Sequence, residues 1–174
     1  VISMTDCYLS HEWGIDKEGR NTSERVQKIG MFLQSKGLYT TFDEGQVKGN
    51  VSFDSIKERI RNAQCVIMCM TERYFYQANS PVNNPTKVEY EEIMNNKDLR
   101  VLVPVILEKA AVSIPGFVTS ACPQFMFKTH LDFTQFSDIG NEDALMLADL
   151  YLYVTRCIHP LRMGGSYRQQ RNQF

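Results

Sequence analysis

The chain has 174 residues, 43% of them hydrophobic and 22% charged, and its 19 basic and 20 acidic residues leave a net charge of −1. A chain of this length buries roughly 70% of its unfolded surface, enough for one domain with a real core. The even charge balance argues against nucleic acid as the main partner, which calls for a concentrated basic face, and no apolar run approaches the ~18 residues of a membrane span.

No signal-peptide pattern opens the chain, and its start at Val1 reads as a segment of a longer protein. Five cysteines (Cys7, Cys65, Cys69, Cys122 and Cys157) make an odd number without any C-x-x-C pair. They fit reduced, mostly buried thiols in a cytoplasmic setting, not a disulfide framework or a zinc site.

In chain order, "DCYLS" (6–10) reads as a first strand. Val26, Ile29 and Leu33 then keep helical spacing up to a stop at Lys36-Gly37. "LYTTF" (38–42) is a second strand, and the polar loop "DEGQVKGN" (43–50) follows it. Phe53, Ile56, Ile60 and Ala63 line one face of a second helix. "CVIMCM" (65–70) and "VLVPVIL" (101–107) are almost continuously apolar, as central parallel strands covered on both faces must be. Pro104 suggests a strand end or local irregularity in the latter. Between them, Asn79 to Pro85 breaks the chain into a loop before a helix starting near Thr86. "FMFKTHLDF" (125–133) alternates like a half-buried strand, and 142–158 is amphipathic through Ala144, Leu147, Ala148, Tyr151 and Val154. Residues 1–159 are thus expected to form the domain, with 160–174 a flexible tail.

Strict alternation of strand and helix predicts an α/β fold, a parallel five-stranded sheet in a three-layer doubly wound sandwich. Ligands in such sheets gather at the carboxyl ends of the strands, near the switch in strand order. There the chain places Ser10-His11-Glu12-Trp13 after the first strand, "FDEGQVKGN" after the second, and "TKVEYEEIM" opening the helix before the fourth. The glycine-rich dinucleotide fingerprint, the P-loop and the G-x-S-x-G elbow are all missing. His11, His130 and His159 lack metal-ligand spacing.

Taken together, "DCYLSHEWG", "GLYTTFDEGQVKGN", "RIRNAQCVIMCMTERYF" and "KVEYEEIMNNKDLRVLVPVIL" resemble, in order and spacing, the boxes of the Toll/interleukin-1 receptor (TIR) domain family over about residues 5–135. The "HEWGIDKEGRN" run looks most like a branch with His-Asp-Trp-Gly and Gly-Arg-Asn ahead of the first helix. The resemblance implies a flavodoxin-like sandwich and one of two functions. Some TIR domains cleave NAD+ to nicotinamide and a linear or cyclic ADP-ribose, with a glutamate early in the helix before the fourth strand. Others are non-catalytic adaptors that assemble with further TIR domains.

Glu89, Glu91 and Glu92 are the acids in that helix. Matching the family's apolar positions to Tyr90, Ile93 and Met94 selects Glu89 as the catalytic carboxylate, with Glu92 second. Thr86 stands where the family often has cysteine. The likeness further implies Ser10, His11, Trp13, Asp43, Lys48 and Tyr74 around NAD+, which is substrate and not cofactor; no metal is called for. It also implies activation by self-association through the 43–50 loop. A plainer reading stands beside each residue: an acid in a helix's first turn favours the macrodipole, Trp13 can cap the core, and Asp43 can serve a turn.

Overall fold

The computed structural model describes residues 5–42, 52–96, 101–113, 131–137 and 141–171, with side chains of the last segment described over 143–159. Five parallel strands, β1 (Thr5–Ser10), β2 (Thr40–Phe42), β3 (Ala63–Met70), β4 (Val101–Ile106) and β5 (Leu131–Asp132), lie in the order β2-β1-β3-β4-β5. Helices α1 (Thr22–Ser35), α2 (Phe53–Asn62), α3 (Glu72–Ala78), α4 (Pro85–Asn95) and α5 (Asn141–Arg171) cover its two faces. The expected doubly wound, flavodoxin-like sandwich is the one observed.

Side chains alternate across the strands and feed two cores. On one face Cys7, Leu9, Cys65, Ile67, Cys69, Val103 and Val105 pack against Val26, Ile29 and Leu33 of α1 and Leu150, Val154 and Ile158 of α5. On the other, Tyr8, Val66, Met68, Met70, Leu102 and Ile106 meet Ile56 and Ile60 of α2, Tyr74 and Phe75 of α3, and Val88 and Ile93 of α4. β3 is nearly all buried because it is central and double-faced, which is why its sequence shows no alternation.

Local chemistry sets the helix ends. Asn21, Ser52, Thr71 and Asn84 each accept a backbone N–H of the first turn they precede. Pro85 follows Asn84 at the first helical position, where its missing N–H costs nothing. Gly37, at φ +86°, takes the left-handed turn that ends α1.

Several sequence expectations are corrected. Pro104 is not a strand end: it stands opposite Met68 within an unbroken β3–β4 register, and β5 pairs only beyond it, at Val105 and Ile106. Residues 72–78, to which the sequence reading assigned no element, form α3, because Thr71 caps a short apolar turn ahead of the Asn/Pro break. Ala63 begins β3 instead of ending α2, and Phe53 is 40% exposed. α5 buries Leu150, Val154 and Ile158 and leaves Ala144 exposed. Its helix continues past 158 to Arg171. Of the 125–133 strand, only Leu131–Asp132 falls among the described residues as strand.

Candidate functional site

Strand order reverses between β1 and β3, since the chain goes from β1 out to β2 and then returns to β3 on β1's other side. At the carboxyl end of this pair, β1 supplies Tyr8 and Ser10, while the turn after β3 leads into α3 with Tyr74. α4 crosses over them and presents Glu89, which is 1% exposed. Tyr8 OH donates to Glu89 Oε1 at 2.7 Å, and Ser10 Oγ donates to Oε2 at 2.6 Å. Tyr74 OH lies 2.9 Å from Ser10 Oγ. A serine hydroxyl has one proton, and here it goes to Glu89; Tyr74 is therefore the donor to Ser10. The result is a one-way relay from Tyr74 through Ser10 to a carboxylate that accepts on both oxygens.

The macrodipole does not account for Glu89. It is the fifth residue of α4, whose first turn holds no acid, and the dipole's influence fades within that turn. Burying a carboxylate costs several kcal/mol unless hydrogen bonds offset it, so such groups concentrate where chemistry needs them. Its neighbours differ in kind. Glu92 Oε1 and Oε2 accept from Arg61 Nε at 2.7 Å and another guanidinium nitrogen at 3.1 Å, and Oε1 also accepts from Asn96, so this acid ties α4 to α2. Glu91 faces solvent, 3.9 Å from Lys87.

Of the residues picked from sequence, Ser10, Tyr74 and Glu89 meet. His11 and Trp13 form a second group: their rings are 5.2 Å apart, and His11 also sits edge-on to Phe42 at 6.2 Å. His11 is buried, near enough for Nδ1 to bond the Leu9 carbonyl at 3.4 Å, and burial pushes its pKa down to about 4, so it is neutral at pH 7. Asp43 and Lys48 lie outside the described residues.

Two participants escaped the sequence reading. Tyr8 looked like one more apolar strand residue, although a buried tyrosine hydroxyl always needs a partner. Glu12 was read only as part of a polar cluster, yet it is wholly buried. Its Oε1 accepts from Thr22 at 3.1 Å and Thr71 at 3.4 Å, and Oε2 lies 3.0 Å from Arg73 Nε. Burial raises its pKa, against the opposing pull of the Thr22 hydroxyl and the Arg73 charge. A cavity of about 410 Å³ opens at the edge of β2 among Gln34, Thr41, Ser55 and Arg59, and Glu89 is not in its walls.

A family model described as TIR domain matches residues 8–146, from β1 into α5. The chain belongs to the TIR domain family. The TIR domains of the activated Roq1 resistosome, which directly recognises the pathogen effector XopQ, are similar in structure at a TM-score of 0.56 and 15% identity, over 86% of this chain and 99% of that one. So is the TIR domain of the Toll-related receptor TRR-2 from Hydra magnipapillata, with a TM-score of 0.52, 15% identity, and 86% and 98% coverage. No curated protein matches the chain. At these identities the likeness of this TIR domain to its neighbours is one of fold. Among the described residues no helix is long and apolar enough to cross a membrane, and no cluster of side chains has a metal-binding arrangement.

Proposed function

We propose that this TIR domain hydrolyses NAD+ to nicotinamide and ADP-ribose, linear or cyclic, with Glu89 as the catalytic carboxylate. The observation that carries the reading is a buried carboxylate at the sheet's switch point, oriented by the hydroxyls of Tyr8 and Ser10. Nicotinamide leaves as a neutral base from a cationic pyridinium, so no general acid is needed. The breaking bond leaves positive charge on the ribose, as in glycoside cleavage, and a fixed carboxylate stabilises that charge and accepts from the ribose hydroxyls. Water then adds at the anomeric carbon and loses a proton, giving linear ADP-ribose; the cyclic product forms when an adenine nitrogen of the same molecule attacks that carbon in place of water, and a proton is lost. Trp13, half-buried after β1, offers an aromatic face for a base, Tyr74 acts through its hydroxyl, and His11, Asp43 and Lys48 complete the expected surroundings.

In the single chain Glu89 is 1% exposed, so substrate must reach it through a rearrangement. Self-association through the 43–50 loop supplies it in this account, with one copy completing the pocket of the next; head-to-tail contacts of that kind run on into filaments. The neighbouring TIR domains described as part of an activated resistosome support assembly as the working form. Cys7, Cys65 and Cys69 are buried and stand in no disulfide, which supports a cytoplasmic, reducing location. Nicotinamide release from NAD+, followed at several protein concentrations, tests the reading: the rate per chain rises with concentration, and Glu89→Ala abolishes it.

The covered state of Glu89 favours a second reading, a non-catalytic adaptor that signals by recruiting other TIR domains. It predicts no nicotinamide release at any concentration, together with co-assembly that charge reversal at Lys48 or Asp43 weakens.

A further inference from the structure

Glu12 has no part in the chemistry just described, yet it is wholly buried beside it. Its Oε1 gathers two hydroxyls from different helices: Thr22 at the start of α1 and Thr71 ahead of α3. Thr71 Oγ1 in turn accepts the backbone N–H of Tyr74 at 3.1 Å and so caps α3. On the other side, Arg73 Nε is 3.0 Å from Oε2. The chain is tight there: a Cβ on Gly14 would fall 2.9 Å from Arg73 Nε and 3.1 Å from Glu12 Oε2. Glu12 thus grips the two residues, Thr71 and Arg73, that flank the entry to α3. The next residue, Tyr74, heads the relay through Ser10 to Glu89.

We infer that Glu12 is a positioning residue for the NAD+-cleaving site, acting through Thr71 and the start of α3 to aim the Tyr74 hydroxyl at Ser10. The inference rests on the hydrolase reading and extends it to a residue that touches no substrate. A burial this complete, with an ion pair to an arginine whose side chain is 53% exposed, is a poor device for stability alone. Its reach into Tyr74 gives it a use.

The test is a double-mutant cycle on nicotinamide release, with Glu12→Ala, Tyr74→Phe and their combination, each checked for folding by its melting temperature. Glu12→Ala is expected to lower kcat by about tenfold with KM changed less than about threefold, the split of an effect on the reacting geometry. In the Tyr74→Phe background the same change is expected to cost less than about threefold, because the hydroxyl it aims is gone. Glu12→Gln, which keeps an acceptor for Thr22 and Thr71, is expected to recover most of kcat; if the alanine variant fails to fold, Thr71→Ala, which cuts the same link between Glu12 and the start of α3, takes its place in the cycle. An active wild type with additive effects of Glu12 and Tyr74, or a Glu12 effect on KM alone, overturns the inference and leaves the hydrolase reading standing. An inactive wild type at all concentrations overturns both.

Discussion

Ser10 and Glu89, which are 79 positions apart in sequence, share a 2.6 Å hydrogen bond that pins the end of β1 to the middle of α4. The bond places the acid over the strand reversal, where a doubly wound sheet keeps its ligands. It also makes the carboxylate's survival in the interior depend on two hydroxyls, those of Ser10 and Tyr8.

Removing either hydroxyl should therefore be costly. A hydrogen bond to a charged group contributes about 1.5–3 kcal/mol, and loss of a donor leaves the acceptor buried. Ser10→Ala and Tyr8→Phe are each expected to lower unfolding stability by about that much in urea titrations. An unchanged midpoint would mean that Glu89 finds solvent or another donor.

Glu92 provides the contrast. It spends both oxygens on Arg61 and Asn96, so it holds α4 to α2 and does not face the relay. Glu92→Gln is expected to keep nicotinamide release within about twofold of wild type, a measurement that separates the two acids directly. Loss of activity matching that of Glu89→Ala would reassign the catalytic carboxylate.

His11 predicts a pH dependence. Its pKa falls from 6.5 in the unfolded chain to about 4 in the fold, because burial disfavours the charged ring. Between those values the unfolded chain binds a proton that the folded chain refuses, so this contribution to stability is present above pH 6.5 and is lost as the pH falls. The gap corresponds to roughly 3 kcal/mol by the bottom of the window. Glu12, with its raised pKa, works in the opposite direction by binding its proton more readily when folded. The comparison to make is wild type against His11→Gln by urea titration from pH 7 to pH 4: the wild type should lose more stability, and parallel curves would contradict the burial argument.

Arg25 clamps the far end of the sheet. Its guanidinium donates to the carbonyls of Leu107, Phe133 and Phe136 and to Asp16 Oδ2. Arg25→Met removes the cation and leaves Asp16 with one arginine partner fewer, so a loss of about 3–5 kcal/mol in unfolding stability is expected. Nicotinamide release by the variant that remains folded should stay near wild type, since the clamp holds the chain just after β4 and β5 whereas the Glu89 relay hangs on β1.

Much of this was legible beforehand. β1, β3 and β4 announced themselves as short apolar runs, and the alternation with helical periods gave the doubly wound form. Ser10 was picked from the polar cluster at the end of β1, where position confers proximity, whereas Glu89 and Tyr74 were picked through the family resemblance. What stayed hidden depends on three dimensions. Tyr8 is apolar by pattern and polar by one atom. Glu12 sits in a polar cluster expected at the ligand end of the sheet, and nothing in that run shows that its carboxylate turns inward and is sealed. α3 is too short for a periodic signal, and the Asn/Pro stretch after it dominates the local composition. Ala144 follows the helical period but precedes the point where α5 reaches the sheet.

The central claim, that Glu89 acts on the ribose of NAD+, is tested most directly by nicotinamide release from wild type and the isosteric Glu89→Gln variant, side by side over a range of protein concentrations. The account predicts a wild-type rate per chain that climbs with concentration and a variant that stays at background while keeping its fold. Equal rates from the two proteins, or none from wild type at any concentration, would contradict it.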